Sequence, residues 1–123
     1  MKTDFDKARP IYKQIISEIK KMIVRGEFNP GDKLPSQREM ARKVDVNPNT
    51  IQRVYREMEL LNLVESKRGK GTFVREDEQL MEQIKMEMAR TAVNSFMEEM
   101  ESLGYDVEDI IDLIQEKDDS VKN

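Results

Sequence analysis

The 123 residues contain no cysteine, no histidine and no tryptophan. Without a thiol or an imidazole, the chain can form no disulfide, no thiolate nucleophile, no zinc site of the usual kind and no histidine-based triad. Catalysis would have to come from carboxylates, lysines or tyrosines, and no convergent acid/base set of these types stands out. Also missing is any apolar run long enough to span a bilayer, and the N-terminus has no signal-peptide core. The expected location is therefore the cytoplasm, with no membrane partner. Glycine and proline are few, and where they occur they punctuate the chain.

Charge is what the chain has in abundance, at 37% of residues, and it is unevenly placed. Residues 1–75 hold seventeen Lys/Arg against ten Asp/Glu, a net +7, whereas residues 76–123 hold four against fifteen, a net −11; together these give the overall −4. The chain divides into two electrostatic objects, a basic domain over 1–75 and an acidic helical region over 76–123. A basic body suits a partner made of phosphates, and an acidic one should stay off them.

The most informative stretch runs from Leu34 to Tyr55. Ser36 and Glu39 have the spacing of a capping box, in which hydroxyl and carboxylate each satisfy an amide at a helix start, so a helix is expected from Gln37. Leu34 and Met40 flank this start as a hydrophobic staple, and Met40, Ala41 and Val44 form its apolar stripe. Asp45 stands where a left-handed residue is wanted, and Val46 is expected to point into the core. Asn47 and Pro48 restart a helix as N-cap and first helical residue. Ile51, Val54, Tyr55 and Met58 recur at three and four residues and should face inward, leaving Asn49, Thr50, Gln52, Arg53 and Arg56 outside. Amides pair bidentately with adenine and arginine with guanine, so this face suits base edges and phosphates of double-stranded DNA. An ordinary solvated helix face is the alternative, but two helices joined by a tight turn place the second in a major groove.

Ahead of this pair, Met1 to Arg9 reads as an extended arm. Ile11, Ile15, Ile16, Ile19, Met22 and Ile23 keep helical spacing up to a C-cap near Gly26, and Pro30-Gly31 marks a turn. Behind it, Leu60, Leu61, Leu63 and Val64 continue the apolar set and Asn62 is a stop. A hairpin is expected, with strands Leu63–Lys67 and Thr72–Val74 and the tip Arg68-Gly69-Lys70-Gly71. Lys67, Arg68 and Lys70 put positive charge where no core could use it, so the hairpin reads as a wing resting on DNA rather than a solubilising loop.

Gly26, Pro30-Gly31, Leu34-Pro35-Ser36, Arg38-Glu39, Ala41, Val46-Asn47-Pro48-Asn49-Thr50 and Arg68-Gly69-Lys70-Gly71-Thr72-Phe73-Val74 together resemble the winged helix-turn-helix of GntR-family bacterial transcription regulators, and the Asn-Pro-Asn-Thr step resembles the YtrA-like branch. The resemblance covers Pro10 to Val74. It implies a mainly α fold of three helices plus a β-hairpin wing, and an operator-binding homodimer that is usually a repressor. It further implies that Arg38 lies on DNA near the first helix of the pair, that Asn49, Thr50 and Gln52 occupy recognition positions, and that Arg68 and Gly69 form the wing tip. Ser36 and Pro48, at the two helix starts, complete the expected DNA-binding surface with Arg53, Arg56, Lys67 and Lys70. Pro48 replaces an arginine that reads DNA in some relatives. Longer relatives with an aminotransferase-type domain bind pyridoxal phosphate, whereas no cofactor is expected here. A winged module that binds protein instead of DNA is the alternative function, distinguished by affinity insensitive to salt.

From Glu76 a long helix ending at Gly104 and a second one capped by Asp106 are expected, with Asp118 to Asn123 frayed. Their apolar residues Met81, Ile84, Met88, Ala92, Phe96, Met100, Leu103, Ile110, Ile111 and Ile114 exceed what so small a body can cover, so they are expected to dimerise the chain as a two-helix tail. An ordinary interface of roughly 800 Å² per copy would suffice. Met81, Met86, Met88, Met97 and Met100 could instead line a pocket for a small-molecule effector, although such residues are more often simply core. Glu98, Glu99 and Glu101 fan around their helix, which argues against a metal.

Overall fold

The computed structural model describes residues 5–122. Its elements run α1 (Ile11–Val24), α2 (Gln37–Val44), α3 (Pro48–Leu60), β1 (Val64–Lys67), β2 (Gly71–Val74), α4 (Glu78–Ser102) and α5 (Val107–Lys122). Among the described residues no helix is long and apolar enough to cross a membrane. Three helices and a hairpin followed by two helices make this a winged helix-turn-helix with a helical extension.

The start of α2 is the expected capping box. The Glu39 amide donates to the Ser36 hydroxyl at 3.2 Å, and the Ser36 amide donates to the Glu39 carboxylate at 3.1 Å. With eight residues, α2 cannot persist alone, and it is held by burial of Met40, Ala41 and Val44. Asp45 closes it in the left-handed region at φ 59°, which turns the chain within two residues into Asn47. Asn47 caps α3 through its side chain, accepting from the Asn49 amide at 2.8 Å, with Pro48 in the first turn. Ile51, Val54, Tyr55 and Met58 then enter one core with Ile15, Ile19, Leu34, Met40 and Val44.

Leu60 and Leu61 do not extend that core. They are 72% and 51% exposed, because they lie off the face defined by Ile51, Val54 and Met58, and the left-handed Asn62 reverses the chain before Leu63 and Val64 re-enter. The hairpin pairs Val64 with Val74 and Lys67 with Gly71, so its tip is Arg68-Gly69-Lys70 and Gly71 belongs to a strand. A third segment joins it. The Pro30-Gly31 turn is pinned to β2 as the Gly31 amide donates to the Val74 carbonyl at 2.9 Å and the Leu34 amide to the Thr72 carbonyl at 2.8 Å, with a bridge between Lys33 and Phe73.

The expected extended arm is a turn where it is described, residues 1–4 lying outside the described residues. The Asp6 carboxylate accepts from the Ala8 amide, and the Gln14 side chain donates to the carbonyls of Asp6 and Arg9, so local polar groups curl the chain back onto α1.

The chain forms two compact units meeting at Lys85 and Met86. The first extends past Arg75 because Met81 is buried in its core and Ile84 packs against it. The second contains the rest of α4, a turn at Gly104 (φ 89°) and α5, whose start is capped by the Asp106 carboxylate accepting from the Asp109 amide at 2.9 Å. Instead of fraying from Asp118, α5 continues to Lys122, since no glycine or proline interrupts it; Asn123 lies outside the described residues.

Candidate nucleic-acid interface

The first turns of α2 and α3 and the wing carry the expected site residues. Ser36, Arg38, Pro48, Asn49, Gln52, Arg53, Arg56, Lys67, Arg68, Gly69 and Lys70 are exposed, and Thr50 is half-buried. Two surface depressions bring some of them together. Arg38, Arg42, Asp45, Val46 and Pro48 line one of about 390 Å³ across the turn between the helices. Lys33, Ser36, Arg38, Tyr55, Gly71 and Thr72 line another of about 420 Å³ between the start of α2 and the base of the wing. Arg38 is common to both, so it sits where helix pair and wing meet. Gln52, Arg56 and the wing tip line neither.

A long-range hydrogen bond braces the frame of this surface. The Tyr55 hydroxyl donates to the Pro35 carbonyl at 2.7 Å, which ties the middle of α3 to the entry of α2. Burial pushes the Tyr55 hydroxyl well above its usual pKa, and the nearby Glu39 charge adds to this. Glu39 is shifted the other way: the Ser36 amide, then the Ser36 hydroxyl, lower its carboxyl below the ordinary value.

The cations differ in what already holds them. The Arg53 guanidinium stacks 3.7 Å from the centroid of the Tyr12 ring. Lys67 lies 4.6 Å from the Phe73 ring centroid and 3.8 Å from a Glu65 carboxylate oxygen, so part of its charge is compensated. Arg38, Arg56, Arg68 and Lys70 have no ion-pair partner among the described residues. A surface with unpaired cations around the positive end of a helix offers phosphate oxygens both charge and amide donors.

The structure brings Tyr12, Lys33 and Arg42 beside the expected site residues, where the sequence gives no reason to place them. Tyr12 lies on the flank of the α1 stripe, next to Ile11, and only its position beside the regular apolar spacing hinted at a half-buried ring. Lys33 and Arg42 carried no signal that separated them from other surface cations.

The tail residues are similarly divided. Within a single copy Met81 and Ile110 are buried, and Ile84 is half-buried against the core of the first unit. Met88 and Met100 are half-buried; Ala92, Phe96, Leu103, Ile111 and Ile114 are exposed. Met86, Val93, Tyr105, Val107 and Leu113 add further exposed apolar surface.

Comparison with known proteins places these observations. The profile for bacterial regulatory proteins of the gntR family matches residues 11–74. The Bacillus subtilis HTH-type transcriptional regulator YhcF is 44% identical over 115 residues, covering 94% of this chain and 95% of YhcF. The Bacillus subtilis HTH-type transcriptional repressor YtrA is 35% identical over 114 residues, covering 92% of this chain and 88% of YtrA. Among solved structures, a GntR family transcriptional regulator from Listeria monocytogenes superposes with a TM-score of 0.84 at 42% identity, over 91% of this chain and 98% of that one.

Proposed function

The chain belongs to the gntR family of bacterial regulatory proteins, in its YtrA-like branch, as a DNA-binding transcription regulator and not an enzyme; from that premise we propose that it is a repressor which binds a palindromic operator as a homodimer. One observation carries the reading. The capped α2, the left-handed turn at Asp45 and the Asn47–Pro48 restart leave Asn49, Gln52, Arg53 and Arg56 exposed on α3, next to a wing whose Arg68 and Lys70 are unpaired among the described residues. In this arrangement α3 enters the major groove, its amides distinguish bases, and Arg38, Arg68 and Lys70 hold phosphates.

Repression is supported by the similarity to YtrA, itself a repressor. Dimerisation is supported by the exposed Phe96, Leu103, Ile111 and Ile114 of the second unit, which solvent does not favour. A twofold pair matches half-sites about 34 Å apart, and joining two weak half-site contacts yields a tight one.

Binding curves on a selected duplex and a scrambled one test the division of labour. Arg38→Ala and Arg68→Ala should weaken both, whereas Gln52→Ala and Asn49→Ala should weaken the selected duplex preferentially. Equal losses on both duplexes from all four changes would refute it. Sedimentation of Phe96→Glu with Ile114→Glu should give monomers; an unchanged mass would remove these residues from the interface.

A further inference from the structure

Of the two exposed cations of α3, Arg53 and Arg56, only the first is held by another element among the described residues. Its guanidinium stacks on the Tyr12 ring, yet the side chain stays exposed and has no carboxylate partner among the described residues. A cation–π contact engages the face of the guanidinium, while its five N–H donors lie in the plane of the group. The stack therefore orients Arg53 without consuming a donor. The platform itself is steady: Tyr12 is half-buried against the core, on a helix whose Ile15, Ile16 and Ile19 are buried in it. Arg56, one turn further along α3, has neither ring nor ion pair among the described residues.

We propose that Tyr12 is a positioning residue for DNA binding: its ring holds the Arg53 guanidinium on the flank of α3 with every donor free, so that Arg53 meets phosphate or base edge already ordered. The inference rests on the reading of α3 as the DNA-facing helix. Arginine has many rotamers, and holding it in place before binding lowers the ordering that association must otherwise impose. The first helix thereby contributes to recognition through a residue that need not touch DNA itself.

The test is a set of binding isotherms for the full chain on a duplex recovered from a random-sequence pool by the unmodified protein, repeated over a series of salt concentrations. Tyr12→Phe keeps the ring face and should bind within about two-fold of the parent. Tyr12→Leu, and Arg53→Lys, which keeps the charge on an exposed side chain but loses the planar stack, should each lose about two- to five-fold per half-site. Tyr12→Leu should leave the salt slope unchanged, whereas Arg53→Ala should flatten it by about one released ion per half-site. Combined with Arg53→Ala, Tyr12→Leu should cost nothing more. An undiminished loss from Tyr12→Leu in the Arg53→Ala background assigns Tyr12 a purely structural role and overturns the proposal. So does unaltered binding by both Arg53→Ala and Arg53→Lys, a comparison that holds even if Tyr12→Leu fails to fold. Gln52→Ala and Arg68→Ala separate the two levels: if they still weaken binding, the α3 surface stands without the Tyr12 claim, and if they do not, the surface itself has been misassigned.

Discussion

Salt is the perturbation that acts most directly on the proposed interface. Arg38, Arg53, Arg56, Arg68 and Lys70 are exposed and have no ion pair among the described residues, whereas Lys67 already faces Glu65 at 3.8 Å. If each of these five neutralises one phosphate, the logarithm of affinity should fall with the logarithm of salt at a slope of about −4 to −5 per bound copy, and about −9 for a pair on one duplex. Raising salt from about 50 to about 200 mM would then weaken one copy by about 500-fold and a pair by about 10⁵-fold. Fluorescence anisotropy of a labelled duplex measures this directly. Arg68→Ala should reduce the slope by about 0.9 per copy, while Lys67→Ala should change it less. The negative overall charge of the chain makes the experiment sharper, since a chain at −4 without a segregated basic surface would show almost no salt-dependent attraction to DNA. A slope near zero, or one that ignores Arg68→Ala, would refute the reasoning.

Three further outcomes are expected. Ser36→Ala removes the acceptor of the Glu39 amide and should cost about 1 kcal/mol in urea unfolding, with the dependence on denaturant unchanged. Because the folded pKa of Glu39 is depressed, its contribution is present above its unfolded value of 4.5 and disappears as pH falls through the folded value, so an acid titration of stability should show a weaker Glu39 component after that change. Tyr55→Phe loses the 2.7 Å bond to Pro35 and should cost about 0.5–1.5 kcal/mol at neutral pH. The folded pKa of Tyr55 is raised, so the parent loses stability as pH climbs above 10.0 toward the folded value, and Tyr55→Phe should decline less steeply over that range in alkaline melts. Gly71→Ala places a side chain at φ 120°, a strained backbone conformation for any residue with a Cβ, and should destabilise the wing by about 1–3 kcal/mol, read as faster hydrogen exchange at the Leu34 and Val74 amides, which donate to the Thr72 and Asp32 carbonyls.

The sequence by itself determined whatever is settled within a few residues. The Ser36–Glu39 capping box, the left-handed Asp45, the Asn47–Pro48 restart and the glycine-bearing wing are local competitions for backbone hydrogen bonds and dihedral angles, and those residues decide them wherever the segment lies. The inward set Ile51, Val54, Tyr55 and Met58 was legible for the same reason, since helical period marks a buried face. Period does not say which element covers that face. Leu60 and Leu61 continue the apolar set yet lie exposed at the end of α3, and Met81 and Ile84, on the apolar stripe of α4, pack against the core of the first unit. Only the tertiary structure decided the contacts that shape the candidate site: Tyr12 with Arg53, Lys33 with Phe73, and Tyr55 with Pro35 twenty residues away. Each depends on the path of the intervening chain, so none leaves a mark on the spacing of its neighbours.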